Sequence, residues 1–143
     1  MKPIGYWLNR TDQALTAAMN GLLAESGLTR LAWQFLNVVQ DTPEAADTEV
    51  LTVLAANADA ADLTAAVETL LADGWLTRPA PGRLALTDTG RARHARAAER
   101  VDAFRELSLT GITHEEYRTA VTVLERMTGN VEDGPDGSRT VRG

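Results

Sequence analysis

The chain has 143 residues, 44% hydrophobic and 24% charged, with a formal net charge of −6, enough for one domain with a real core. It contains no cysteine, which excludes a disulfide framework, thiolate catalysis and cysteine-ligated zinc. No run of about 18 apolar residues could span a membrane, and no charged segment leads into an apolar one at the N-terminus, so a cytoplasmic protein without a signal peptide is expected.

From Ile4 to about Glu25 the pattern Ile4, Leu8, Leu15, Ala18, Met19, Leu22, Leu23 is helical. Only Arg10 and Asp12 are charged between Ile4 and Leu23, so more than one face must be covered, and a second subunit is the expected cover. Gly27 ends this helix and Thr29 can cap the next, Arg30 to Gln40. Its residues Leu31, Ala32, Trp33, Phe35, Leu36, Val38 and Val39 are apolar on nearly every side, which predicts a central buried helix. Asp41-Thr42-Pro43-Glu44 is a loop signal, and a short helix from about Asp47 to Ala56 follows with Val50, Leu51 and Leu54 inward.

The next stretch, Asn57 to Thr87, organises the chain. Leu63, Ala66, Val67, Leu70 and Leu71 form an amphipathic stripe, Asp59 is a good N-cap, and Gly74 is a C-terminal stop. Trp75-Leu76-Thr77-Arg78 and Arg83-Leu84-Ala85-Leu86 flank Pro-Ala-Pro-Gly, a hairpin turn. A helix feeding straight into a short hairpin outlines a winged helix. Thr87 can then cap a long helix from Asp88 to about Leu109, with His94, Ala97, Ala98, Val101 and Phe104 on one face. After Thr110-Gly111, Thr113 with Glu116 forms a capping box and Ile112 with Tyr117 a hydrophobic staple. The last helix places Tyr117, Ala120, Val121, Leu124 and Met127 on one stripe, and residues 131–143 are expected to be a disordered tail.

Charge is unevenly spread. Residues 1–77 carry a net of −7, residues 78–105 a net of +4 and residues 106–143 a net of −3. All the positive excess falls on the hairpin and the helix after it. From Asp59 to Asp73 there are four acids and no Lys or Arg, the reverse of what a helix in a DNA groove needs.

The order of elements, with particular residues, resembles the MarR family of winged-helix transcriptional regulators. The matching residues are Gly27-Leu28-Thr29 with Trp33 and Leu36, and Val67-Glu68-Thr69-Leu70 with Gly74-Trp75-Leu76-Thr77-Arg78. Leu86-Thr87-Asp88-Thr89-Gly90-Arg91 completes them, similar to the family's L-T-x-x-G-R exit from the wing. The resemblance implies a mainly α fold. Residues 1–130 would be a single MarR-like domain, with a winged helix-turn-helix over 29–87 and dimerisation helices over 4–26 and 88–129. It also implies a homodimer that binds double-stranded DNA, with one recognition helix and one wing per subunit, and that responds to small, often aromatic ligands. By position, the family's polar and basic recognition residues fall on Ala60, Ala61, Asp62, Thr64 and Ala65, of which Thr64 keeps a groove-reading chemistry. The wing is short, lacks the family's Asp-x-Arg motif and keeps Arg83 near its tip.

The candidate DNA-binding residues are accordingly Thr64, Arg78, Arg83 and Arg91, with Arg93 and Arg96 extending the basic patch. Trp7, Trp33 and His94, from the three helices that bound the family's ligand cleft, are the candidate ligand-binding residues. No catalytic residue, metal or cofactor is expected. His94 and His114 lie on different helices without a spaced acidic partner, no serine sits in a nucleophile elbow, and no glycine-rich loop follows a strand. Two readings stand. One is a ligand-responsive DNA-binding regulator. The other is a winged-helix dimer that no longer reads DNA and serves as a ligand-binding or protein-interaction module, or as an enzyme, because function belongs to sites rather than folds.

Overall fold

The computed structural model describes residues 1–134. The elements run α1 (Ile4–Glu25), α2 (Arg30–Asp41), β1 (Ala45–Ala46), α3 (Asp47–Leu54) and α4 (Ala60–Ala72), then β2 (Leu76–Thr77), β3 (Arg83–Leu86), α5 (Asp88–Ser108) and α6 (His114–Asp133). The chain divides into two compact units, Met1–Phe104 and Arg105–Gly143. Among the described residues no helix is long and apolar enough to cross a membrane.

The core lies wholly in the first unit. Phe35, Leu36 and Val39 of α2 pack with Val50 and Leu54 of α3, Leu63, Val67 and Leu70 of α4, and Trp75, Leu84 and Leu86 of the wing. Each comes from the apolar stripe of its element, so the helices close on one another by burying matching stripes. The caps follow the sequence: Thr29 Oγ1 accepts from Ala32 N at 3.1 Å, and an Asp59 carboxylate oxygen accepts from Asp62 N at 2.8 Å. Gly74, at φ 79°, turns the chain out of α4.

The wing is a three-stranded antiparallel sheet in the order β1-β3-β2. Leu76 pairs with Leu86 and Thr77 with Ala85, while Ala45 pairs with Leu84 and Ala46 with Arg83. The sequence predicts only the hairpin; β1 is two alanines long, too short for any alternation to announce it. Trp75 and Arg78, expected in the first wing strand, flank the ladder instead, and α3 stops at Leu54 before Ala56. Glu44, just before β1, has φ 49°, a left-handed conformation uncommon for a side chain of its kind. Its carbonyl accepts from Arg83 Nη1 at 3.4 Å, a tie between the loop and the wing.

The start of α5 is locked to the end of α4 through Thr87. Its hydroxyl donates to the Gly74 carbonyl at 2.6 Å and accepts from Gly90 N at 2.8 Å, while its own N–H donates to the Trp75 carbonyl at 3.1 Å. A Cβ on Gly90 would overlap the Trp75 carbonyl oxygen. These contacts give the L-T-x-x-G segment its physical reason.

In the second unit, α6 begins on the expected capping box. Glu116 N donates to Thr113 Oγ1 at 3.1 Å and Thr113 N to Glu116 Oε1 at 2.9 Å. The backbone bond from Thr113 to the carboxylate is the largest cause that holds the Glu116 carboxyl below its usual pKa, with the Thr113 hydroxyl second. The helix runs to Asp133, so the expected disorder at 131–133 is replaced by helix; residues 135–143 of that expectation lie outside the described residues.

Candidate nucleic-acid interface and ligand cleft

Helix α4 buries Leu63, Val67 and Leu70 and presents Ala60, Ala61, Asp62, Thr64, Ala65, Glu68 and Thr69 to solvent. Thr64 is therefore on the outward face where a recognition residue belongs. It stands among alanines and acids, and the outward face offers no cation.

The wing arginines are exposed but engaged. Arg78 Nη1 donates to Asp47 Oδ1 at 2.9 Å, which raises its pKa further, and Arg83 pairs with Glu49 at 3.6 Å. Asp47 and Glu49 both lie in the first turn of α3, where carboxylates also suit the helix dipole. Arg91 turns back on its own helix, pairing with Asp88 and donating to the Leu86 carbonyl at 3.3 Å. A charge count treats these three as a free basic patch; the fold sets a carboxylate beside each one. Such exposed pairs are worth little, about 0–1 kcal/mol each, so a phosphate could compete for the arginines.

Trp33 and His94 do come together. Their rings stack with centroids 4.8 Å apart and planes 17° apart, joining α2 to α5. His94 Nε2 and Asn37 Oδ1 are 2.8 Å apart, and a neutral imidazole protonated at Nε2 donates this bond. Burial, the larger cause, lowers the His94 pKa from its ordinary value against the opposing charge of Asp41, which favours the neutral ring. The sequence reading missed Asn37, and no signal could have found it, since α2 carries amides at Gln34, Asn37 and Gln40 alike and only the fold brings Asn37 to His94. Trp7 is 52% exposed, and its ring meets Tyr6 edge-on at 5.0 Å rather than Trp33 or His94. It lies sixteen residues, roughly 24 Å along the axis, from Leu23, the buried residue of α1.

A helix-turn-helix whose second helix leads into a three-stranded wing defines the class as a winged helix-turn-helix protein. No protein-family model matches the sequence, and no curated protein matches it. Solved structures do. A MarR family protein of Mycobacterium tuberculosis, in complex with DNA, is 25% identical, with a TM-score of 0.69 over 89% of this chain and 98% of that one. The transcriptional repressor CouR, bound to p-coumaroyl-CoA, is 26% identical with a TM-score of 0.69 over 88% and 91%. The reduced form of MarR from E. coli is 22% identical with a TM-score of 0.67 over 89% and 94%. The chain has the MarR-type winged-helix fold.

Proposed function

We propose that the protein is a MarR-type transcriptional regulator that binds double-stranded DNA as a homodimer and responds to a small aromatic effector. In this reading residues 1–130 act as one MarR-like domain, with helices over 4–26 and 88–129 pairing the subunits. The observation that carries it is the likeness, over nearly the whole of both chains, to a MarR family protein solved on DNA. The apolar side chains that α1 and α6 leave exposed support the dimer. They include Ile4, Leu8 and Leu15 on α1 and Tyr117, Val121 and Met127 on α6. The Trp33–His94 stack supplies a neutral aromatic wall for the effector, and the structure of CouR with p-coumaroyl-CoA makes a phenolic ligand the first to try.

DNA contact in this reading falls to Arg83, Arg78 and Arg91 on phosphates, with Thr64 on a base edge. A gel shift against the DNA upstream of the protein's own gene tests it. Arg83→Ala should weaken binding to all sequences and flatten the salt dependence, whereas Thr64→Ala should alter base preference more than affinity. Asp62→Ser should tighten binding by removing a repulsion on the order of 1 kcal/mol. Indifference of retention at low salt to both Arg83→Ala and Asp62→Ser would end the DNA reading. A specific observation favours the second reading, a winged-helix module that no longer reads DNA. Helix α4 has no cation between Asp59 and Asp73, and acids on α3 already pair the wing arginines.

A further inference from the structure

Beyond Arg83, Arg78 and Arg91, to which the DNA reading gives the phosphate contacts, α5 carries further arginines, two of which, Arg93 and Arg96, extend the basic patch counted in the sequence. Arg93, Arg96 and Arg100, at i, i+3 and i+7, share one stripe and line a recess of about 270 Å³ with Glu25, Ser26 and Trp75. The recess lies wholly within the first compact unit, between the C-terminal end of α1 and the base of the wing.

Each arginine stands differently. Arg93 is pinned: its guanidinium lies 3.8 Å over the Trp75 ring and donates to the Asp73 carbonyl at 3.0 Å. Arg100 pairs with Glu25 at 3.6 Å, an exposed ion pair as weak as that of Arg83 with Glu49 and open to competition. Arg96, among the described residues, has no carboxylate within ion-pair distance. Three guanidinium forks and one carboxylate leave a net charge of +2 around one concavity in a chain whose own net charge is −6. Trp75 is 1% exposed beneath Arg93, so the recess offers polar groups rather than a bare aromatic face.

We propose that this recess binds the phosphoryl group of a small molecule. A phosphate monoester carries about −1.5 to −2 charges at neutral pH, close to the charge it would meet, and guanidinium forks match its oxygens two at a time. The Ser26 hydroxyl adds a donor on the α1 side. Glu25 occupies Arg100 in the empty site and swings out when phosphate arrives, so it competes with the ligand. The recess is a single concavity of about 270 Å³, sized for one phosphoryl group rather than for a run of backbone phosphates. The site is separate from the Trp33–His94 stack and does not depend on that effector reading.

The full chain in phosphate-free buffer at fixed ionic strength provides the test, by calorimetric titration and thermal melts with sodium phosphate and glycerol 3-phosphate. Both should bind saturably with comparable affinity, and a tenfold excess over Kd should raise Tm by roughly 4 °C. Glu25→Gln should tighten binding at least threefold. Arg96→Gln combined with Arg100→Gln should abolish it, and the double Lys substitution, which keeps charge and loses the fork, should weaken it at least fivefold. Arg93 is spared because it covers Trp75. If the Gln pair does not fold, the Lys pair decides. The proposal falls if neither phosphate compound saturates, if glycerol 3-phosphate is rejected, if Glu25→Gln weakens binding, or if the Lys pair binds as the natural protein does. It also falls if the Lys pair loses retention on duplex DNA while the natural protein ignores phosphate, for then the arginines serve nucleic acid.

Discussion

The helix-turn-helix lobe and helix α6 carry apolar stripes of the same kind, and the stripes meet opposite fates. In the lobe, Phe35, Leu36, Val50, Leu63, Leu70 and Leu84 are each no more than 2% exposed, because four helices and a sheet turn their stripes on one another. On α6, Tyr117, Val121, Val123 and Met127 are all at least 36% exposed, and none of its residues is buried. Amphipathic spacing says that a face is made for covering; it does not say by what. For the lobe the cover is the same chain. For α6, in the proposed dimer, it is a second copy.

That contrast breaks most sharply at Phe35. Phe35→Ala should cost the lobe roughly 4 kcal/mol, through lost burial and the cavity left behind. Chemical denaturation of the purified variant should show the loss, or no folded protein at all. Gly90→Ala should come next, at about 3 kcal/mol, because the new methyl group meets the fixed Trp75 carbonyl and α5 must shift away from the wing. A near-neutral Gly90→Ala would mean that the α5 junction is looser than its hydrogen bonds indicate.

Val121→Glu should behave oppositely. It should leave the far-ultraviolet circular dichroism of the chain intact while moving its sedimenting mass from twice 15.4 kDa to 15.4 kDa. An unchanged mass would remove α6 from the proposed dimer.

A smaller effect concerns His94. Its folded pKa lies below 6.5 because burial disfavours the imidazolium. The unfolded chain therefore takes up a proton that the folded lobe resists. Stability should be full above about pH 6.5 and fall as pH drops from there through the lowered folded value. His94→Gln should flatten that segment of the pH–stability curve; a slope that persists assigns the loss to carboxylates. The smallest effect is expected from Glu49→Gln, which frees Arg83 from its ion pair. Stability should change by less than about 1 kcal/mol, while retention on DNA at low salt should rise if Arg83 meets phosphate.

Much of this was legible along the chain because it depends on residues a few positions apart. The caps at Thr29, Asp59 and Thr113, the stop at Gly74, the hairpin around Pro79 to Gly82 and the inward stripe of α4 are local events. Backbone geometry and side-chain reach settle them within a turn or two of helix. The MarR-type arrangement followed from their order. The two-residue strand β1 was not legible, since pairing of Ala45 with Leu84 spans thirty-nine positions and leaves no periodic mark.

The candidate sites divide the same way. Charge distribution pointed to the arginines and the family resemblance to Trp33 and His94, but their chemistry is set by neighbours from distant elements: Asp47 and Glu49 beside the wing, Asn37 beside His94, Glu25 and Trp75 around the α5 arginines. The sequence by itself determined the helices, the hairpin and how many charges the chain carries, because helical reach is a property of near neighbours and formal charge a property of the residue types present. Only the tertiary structure decided which arginines are neutralised and which line a recess. Electrostatic pairing acts over a few ångströms of space, and proximity of that kind is created by folding.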